Sequence, residues 1–146
     1  MNVIEATKKI ISSYEKISEF SNGVHIDFTI NEPTDFGLSS TGDALLREDV
    51  LGNQKRKHSF VLYAVNRAYE DYDRLANSSF LLELTYWLET QKGQKVDVVI
   101  GDTIKKGEIT KISTANAMIF SVPTGNLRDG VMYQIQIYVE YKVKGE

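Results

Sequence analysis

Cysteine is absent from the chain. That excludes a disulfide framework, thiolate catalysis and cysteine-ligated zinc, and it fits folding in a reducing cytosol. Histidine is nearly absent, with only His25 and His58, and neither has a Glu-x-x-His pattern beside it. No Gly-x-x-x-x-Gly-Lys phosphate loop and no Gly-x-Ser-x-Gly elbow occurs. Glu70, Asp71 and Asp73 lie close together but lack the glycine and terminal glutamate of a calcium loop. The expectation is therefore a protein without cofactor, metal or catalytic constellation, hence not an enzyme. There are only two prolines and no low-complexity tract, which argues against disorder. No run approaches 18 apolar residues, and Met1–Lys9 lacks the apolar core of a signal peptide, so no membrane contact is expected. A basic excess is missing too. The net charge of −3 argues against nucleic acid as the main bound partner.

What is present suits one globular domain spanning 1–146. The chain is 42% hydrophobic and 25% charged. A chain of this size buries roughly 70% of its extended surface, enough for a core without staples.

The patterning predicts an α+β fold: two layers, with a mixed, mainly antiparallel sheet packed against two helices. A first helix is expected from about residue 3 to about residue 20. Asn2 and Glu5 form a capping-box pair, and Val3, Ile4, Ile10, Ile11, Tyr14 and Ile17 form one apolar stripe. Val24–Ile30 alternates strictly and reads as a half-buried strand. Residues 31–43 show no period and read as a long, flexible loop. Ala44–Leu51 and Gln54–Tyr69 are expected to form an antiparallel hairpin turning at Gly52 and Asn53, with Lys57–Asn66 apolar enough for a strand buried on both faces. Lys55, Arg56 and Lys57 then sit near its tip, as a solvated edge that discourages sheet-to-sheet aggregation or as a contact for an acidic partner.

A second helix is expected over Asp73–Gln91, with a break at Asn77–Ser79. Phe80, Leu84, Trp87, Leu88 and Gln91 would share its inner face, with Leu81 and Leu82 widening it and Trp87 anchoring the core. Val96–Ile100 and Ile109–Phe120 read as strands. Turn signals stand at Gly101–Asp102 and Lys106–Gly107, a possible mid-strand turn at Ala115–Asn116, and a loop at Pro123–Gly130. Val131–Val143 alternates strictly and should have a firmly set register. The histidines read as surface or satisfied strand residues. Pairing of His25 with Asp27 near the loop is the one arrangement that would suit a small ligand-binding domain or enzyme instead.

Several stretches, taken in order, resemble the tail terminator (tail completion) proteins of long-tailed bacteriophages and phage-tail-like particles. They are Ile26–Phe28 after the first helix, the basic and aromatic strand Asn53–Arg67, Asp71 through Asn77–Phe80, Trp87–Gln91, and Tyr133–Gln136 running on to Tyr141. The likeness covers nearly the whole chain. It departs at residues 31–52, where similar proteins often carry a Pro-x-x-Pro stretch and a Tyr-x-Asp-Gly turn. The resemblance implies a structural virion protein located in the tail and assembled in the bacterial host cytoplasm. It would form a ring, typically of six subunits, on the head-proximal end of the tail tube. The ring stops tube growth and presents the surface for head or neck attachment. Its partners would be other copies of itself, the tail-tube protein, a head-completion or neck protein, and a sheath protein if the tail contracts. DNA would pass through the lumen without specific binding. Another neck protein of the same particle is the nearest alternative. On this reading, the subunit or tail-tube interface is expected at Asp35, Phe36, Leu38, Arg47, Glu48, Asp49, Lys55, Arg56, Lys57 and Tyr138.

Overall fold

The computed structural model describes residues 1–14, 23–26, 35–66, 71–121 and 131–145. Helix α1 (Val3–Ser12) is followed by strands β1 (Gly23–Ile26), β2 (Asp35–Glu48) and β3 (Gln54–Asn66), helix α2 (Asp71–Glu89), and strands β4 (Lys95–Ile100), β5 (Thr103–Ser121) and β6 (Val131–Val143). The strands form one sheet in the order β1-β2-β3-β6-β5-β4. Only β1 and β2 pair in parallel; the other four neighbours are antiparallel. This is the α+β, two-layer, mixed but mainly antiparallel architecture that the patterning predicts.

The capping box forms as expected. The Glu5 amide donates to Asn2 Oδ1 at 2.9 Å, and the Asn2 amide reaches Glu5 Oε1 at 3.4 Å. Val3, Ile10, Ile11 and Tyr14 are buried. The helix ends at Ser12, not near residue 20. Ser13 turns its Oγ back onto the Ile10 carbonyl (2.6 Å), a local bond that competes with helix propagation. Ile17 lies outside the described residues.

β6 sits at the centre of the sheet and has the strictest alternation. Tyr133, Ile135, Ile137, Val139, Tyr141 and Val143 are all buried, and the residues between them are not. Its ladder with β3 runs from Gln54↔Val143 to Asn66↔Val131 without a shift. A one-residue slip would send that whole apolar row into water, so the burial pattern holds the register. β3 has strands on both sides, yet it is not buried on both faces. His58, Phe60 and Leu62 are buried while Val61 and Tyr63 are half-exposed, because the helices cover one face only. Its interior position also removes the edge reading of Lys55–Lys57.

α2 is continuous through Asn77–Ser79 and closes at Glu89 rather than Gln91. Phe80, Leu81, Leu84 and Leu88 face the core, Trp87 packs against it, and Leu82 is exposed, outside the stripe assigned to it. The Trp87 and Tyr14 rings lie 4.9 Å apart and join the two helices over the sheet.

Two expected turns are strand instead. Lys106 and Gly107 lie inside β5, where a Cβ on Gly107 would strike the Lys142 carbonyl oxygen. The glycine marks close approach of two backbones, not a reversal. Ala115–Asn116 is a register shift in β5, one of three against β6. The loop expected at Pro123–Gly130 lies outside the described residues.

Candidate functional site

The largest departure from expectation is β2. Residues 35–43 carry no sequence period, yet they form strand, because β3 pairs along them from Phe36 onward and β1 pairs with Asp35–Leu38 from the other side. The period is broken by register shifts between Ser40 and Gly42 and between Leu45 and Arg47. Each shift moves side chains to the opposite face and hides the alternation. Residues 31–34 lie outside the described residues.

Past the end of β2 the hairpin turn is tightly tied. Asp49 accepts through Oδ1 from the Leu51 and Asn53 amides (2.9 and 3.0 Å) and through Oδ2 from Asn53 Nδ2 (3.0 Å). The Asn53 side-chain bond, above all, holds its carboxyl below the usual range. Gly52 takes φ of 83°, a left-handed position where other residues are strained. The Gly145 amide donates to Asn53 Oδ1 (2.8 Å) and fastens the C-terminal segment to the turn. The tip so fixed presents Val50, fully exposed, and Leu51, 74% exposed.

The ten interface residues expected from the sequence do not act as one patch. Arg47, Glu48 and Asp49 are exposed at the hairpin end. Leu38 is only 1% exposed and belongs to the core, so it cannot contact a partner; its register opposite buried Leu62 places it on the inner face. The basic triplet is split by strand alternation. Lys55 and Lys57 share one face. Lys55 Nζ lies 3.8 Å from Glu140, and Lys57 Nζ lies 4.4 Å from the Tyr138 ring centre. Tyr138 also donates its hydroxyl to Gln136 Oε1 (2.8 Å). Arg56 turns to the opposite face, away from Lys55 and Lys57, where Asp43 engages it. Asp35 and Phe36 open β2 opposite Gly23 and Val24 of β1.

The strand ends here frame a groove of about 1170 Å³. Arg47, Lys55, Lys95, Lys106, Lys142 and Lys144 line it against Asp49, Asp97 and Glu108, a local basic excess on an acidic chain. Asp97 binds Lys106 Nζ and the Met1 ammonium, both at 2.7 Å. Lys106 foremost, and then the ammonium, lower its carboxyl to about 2.

Beside the groove, on the inner face, a polar network surrounds Asp43. β2 and β3 place Asp43 directly opposite His58, and β6 brings in Tyr141 opposite Arg56. Asp43 accepts from Tyr141 Oη (2.6 Å), Arg56 Nε (2.8 Å) and His58 Nδ1 (2.9 Å). Burial pushes its carboxyl up, but those three bonds outweigh it and hold the group below its ordinary value. Burial, and then the bond to Asp43, push the Tyr141 phenol far up, so it remains a donor. The other ring nitrogen of His58, Nε2, lies 2.9 Å from Ser40 Oγ. Among the described residues no buried side-chain nitrogen or oxygen lacks a partner.

His58 is thus the satisfied strand histidine that the sequence suggests, but the acid that satisfies it is 15 residues upstream. Nothing in local spacing points to Asp43; the hairpin register does. Asp27, the partner considered for His25, lies outside the described residues. Among the described residues no three His, Cys, Asp or Glu side chains gather as metal ligands, and no helix is long and apolar enough to cross a membrane.

No protein-family model matches the chain, and no curated protein matches it.

Proposed function

We propose that the protein is a tail terminator. On this reading it is a structural subunit that closes into a ring, six-membered as the resemblance implies, on the head-proximal end of a phage or phage-like tail tube. The observation that carries the proposal is the pair of unlike, open, apolar sheet edges. Along β2, from Ser40 to Glu48, no described strand lies outside, and this edge leads to Leu45, Leu46, Val50 and Leu51. At the other end of the strand order, β4 faces no described strand. One backbone bond among the described residues, from the Asp97 amide to the Met1 carbonyl (2.8 Å), crosses that edge. Val99 and Ile104 beside it are 67% and 59% exposed.

Two different self-adhesive patches on opposite edges favour head-to-tail association, the symmetry a ring requires. Strand addition across the edges supplies the backbone bonds. The basic groove then suits an acidic surface of the tail tube or neck. The ordered resemblance from Ile26 to Tyr141 names the kind of ring.

The test is negative-stain microscopy and light scattering of the purified protein, alone and mixed with the tail-tube protein encoded near it. Rings are expected on the tube, and Leu51→Asp or Val99→Asp should abolish them while leaving the monomer folded. A strict monomer at high concentration that also forms no ring with tube protein would refute the proposal.

A further inference from the structure

Ser40, His58 and Asp43 stand in the order nucleophile, base, acid. Ser40 Oγ lies 2.9 Å from His58 Nε2, and His58 Nδ1 lies 2.9 Å from Asp43 Oδ2. An ionised Asp43 can only accept, so the imidazole proton sits on Nδ1. In the neutral imidazole Nε2 then keeps its lone pair toward the serine hydroxyl, which can donate to it. Tyr141 Oη and Arg56 Nε hold the carboxylate in place from its other sides. His58 is 8% exposed, whereas Ser40 is open to solvent. The base is dry and oriented while the nucleophile remains accessible. Ser40 also sits at the shift where Ser40, Thr41 and Gly42 oppose only Phe60 and Ser59, with Gly42 at φ of 157°. Bulges of this kind re-aim side chains and recur beside reactive sites.

We infer that Ser40 is a nucleophile activated by His58, able to accept an acyl or phosphonyl group from small activated electrophiles. This is a further activity, assigned to the free subunit, because Ser40 begins the β2 edge offered above for ring formation. Ser40 Oγ bonds the acyl carbon as its proton passes to Nε2. The leaving group, an aryl oxygen from an ester or fluoride from a fluorophosphonate, departs with that proton as its bond breaks, and an acyl or phosphonyl ester remains on Ser40. Water, activated by the same nitrogen, then releases the acid and restores the hydroxyl. Asp43 is a positioning residue: it fixes the tautomer and touches no substrate. Because Ser40 faces solvent, electrophile reactivity sets the substrate class, and small aryl esters fit it better than peptides.

The experiment treats the full chain with a fluorophosphonate probe and locates the adduct by mass spectrometry, alongside p-nitrophenyl acetate hydrolysis. The expected result is an adduct on Ser40, with hydrolysis at least about tenfold above Ser40→Ala, a modest share of what a general base supplies. His58→Gln should abolish the labelling. If His58→Gln does not fold, Asp43→Asn decides the point: it removes the carboxylate that fixes the imidazole tautomer, and labelling of Ser40 should fall at least about tenfold. No adduct, an adduct spread over other serines, hydrolysis unchanged in Ser40→Ala, or labelling undiminished in a folded His58→Gln or Asp43→Asn variant would each overturn the inference. The network would then be a structural lock only.

Discussion

Replacing Asp43 by alanine removes one acceptor from three donors at once. The consequences differ by donor. Arg56 is partly exposed and already reaches Gln54 Oε1 at 3.0 Å, so it can turn to water, and its ion pair is worth about 0.2–1 kcal/mol. Tyr141 is 4% exposed, and its hydroxyl would be left facing the vacated space. His58 keeps Ser40 but loses its Nδ1 partner in a buried position. A buried donor left without an acceptor costs about 1–3 kcal/mol. Water entering the gap offsets part of this, so the whole change should cost about 2–4 kcal/mol, against a domain stability of about 5–15 kcal/mol.

Trp87, the only tryptophan, packs against the core and gives a fluorescence signal for urea unfolding at neutral pH. Tyr141→Phe alone should cost about 1 kcal/mol. In the Asp43→Ala background it should cost close to nothing, because the hydroxyl's acceptor is already gone. That coupling is the sharper readout, since a double-mutant cycle isolates the pair. An Asp43→Ala loss below about 0.5 kcal/mol, or a Tyr141→Phe cost equal in both backgrounds, would refute the network as a source of stability.

The other expectations follow from separate parts of the fold. Gly107→Ala should destabilise by about 1–3 kcal/mol in the same titration, because the new methyl meets the Lys142 carbonyl and, at 3.1 Å, Val96 Cγ2. Leu84→Ala should cost about 2–5 kcal/mol, since this fully buried side chain joins α2 to the core. The folded carboxyls of Asp43 and Asp97 are both lowered, so their contributions are complete above the ordinary aspartate value of 3.8 and fade as pH falls through the folded values, about 2 for Asp97. Acid unfolding followed by circular dichroism should therefore lose part of its steepness in Asp97→Asn, and an unchanged acid limb would contradict the assignment.

The legible parts of the sequence were those where one face is buried and the pairing is regular. β6 announces itself because all six inner residues from Tyr133 to Val143 are large and apolar, and its ladder with β3 has no shift. The capping box at Asn2 and Glu5 and the hairpin turn at Gly52 were legible because they are local chemistry. β2 was hidden because two shifts scramble its period and because Ser, Thr and Gly there are also loop residues. Gly107 reads as a turn because a glycine that admits a neighbouring backbone looks, in sequence, like one that turns the chain. The Asp43–His58–Ser40 contacts were not legible at all. They depend on which residue of β2 faces which residue of β3, and the shift after Ser40 sets that pairing.

The inner face of β3 explains why a polar network sits in this place. Read toward the hairpin, it runs Leu62, Phe60, His58, Arg56, Gln54. The first two lie in the core that α1 and α2 complete. A strand continuing in leucine and phenylalanine beyond them would need a longer helix to cover it or would expose a broad apolar face. The chain instead changes chemistry at His58. From there Asp43 and Tyr141, reaching in from the strands on either side, close the face with hydrogen bonds. These bonds tie β2 and β6 to β3 at this level of the sheet, next to the hairpin whose turn Asp49 and Asn53 hold. The apolar tip at Val50 and Leu51 can then serve as a contact surface instead of folding back onto its own sheet.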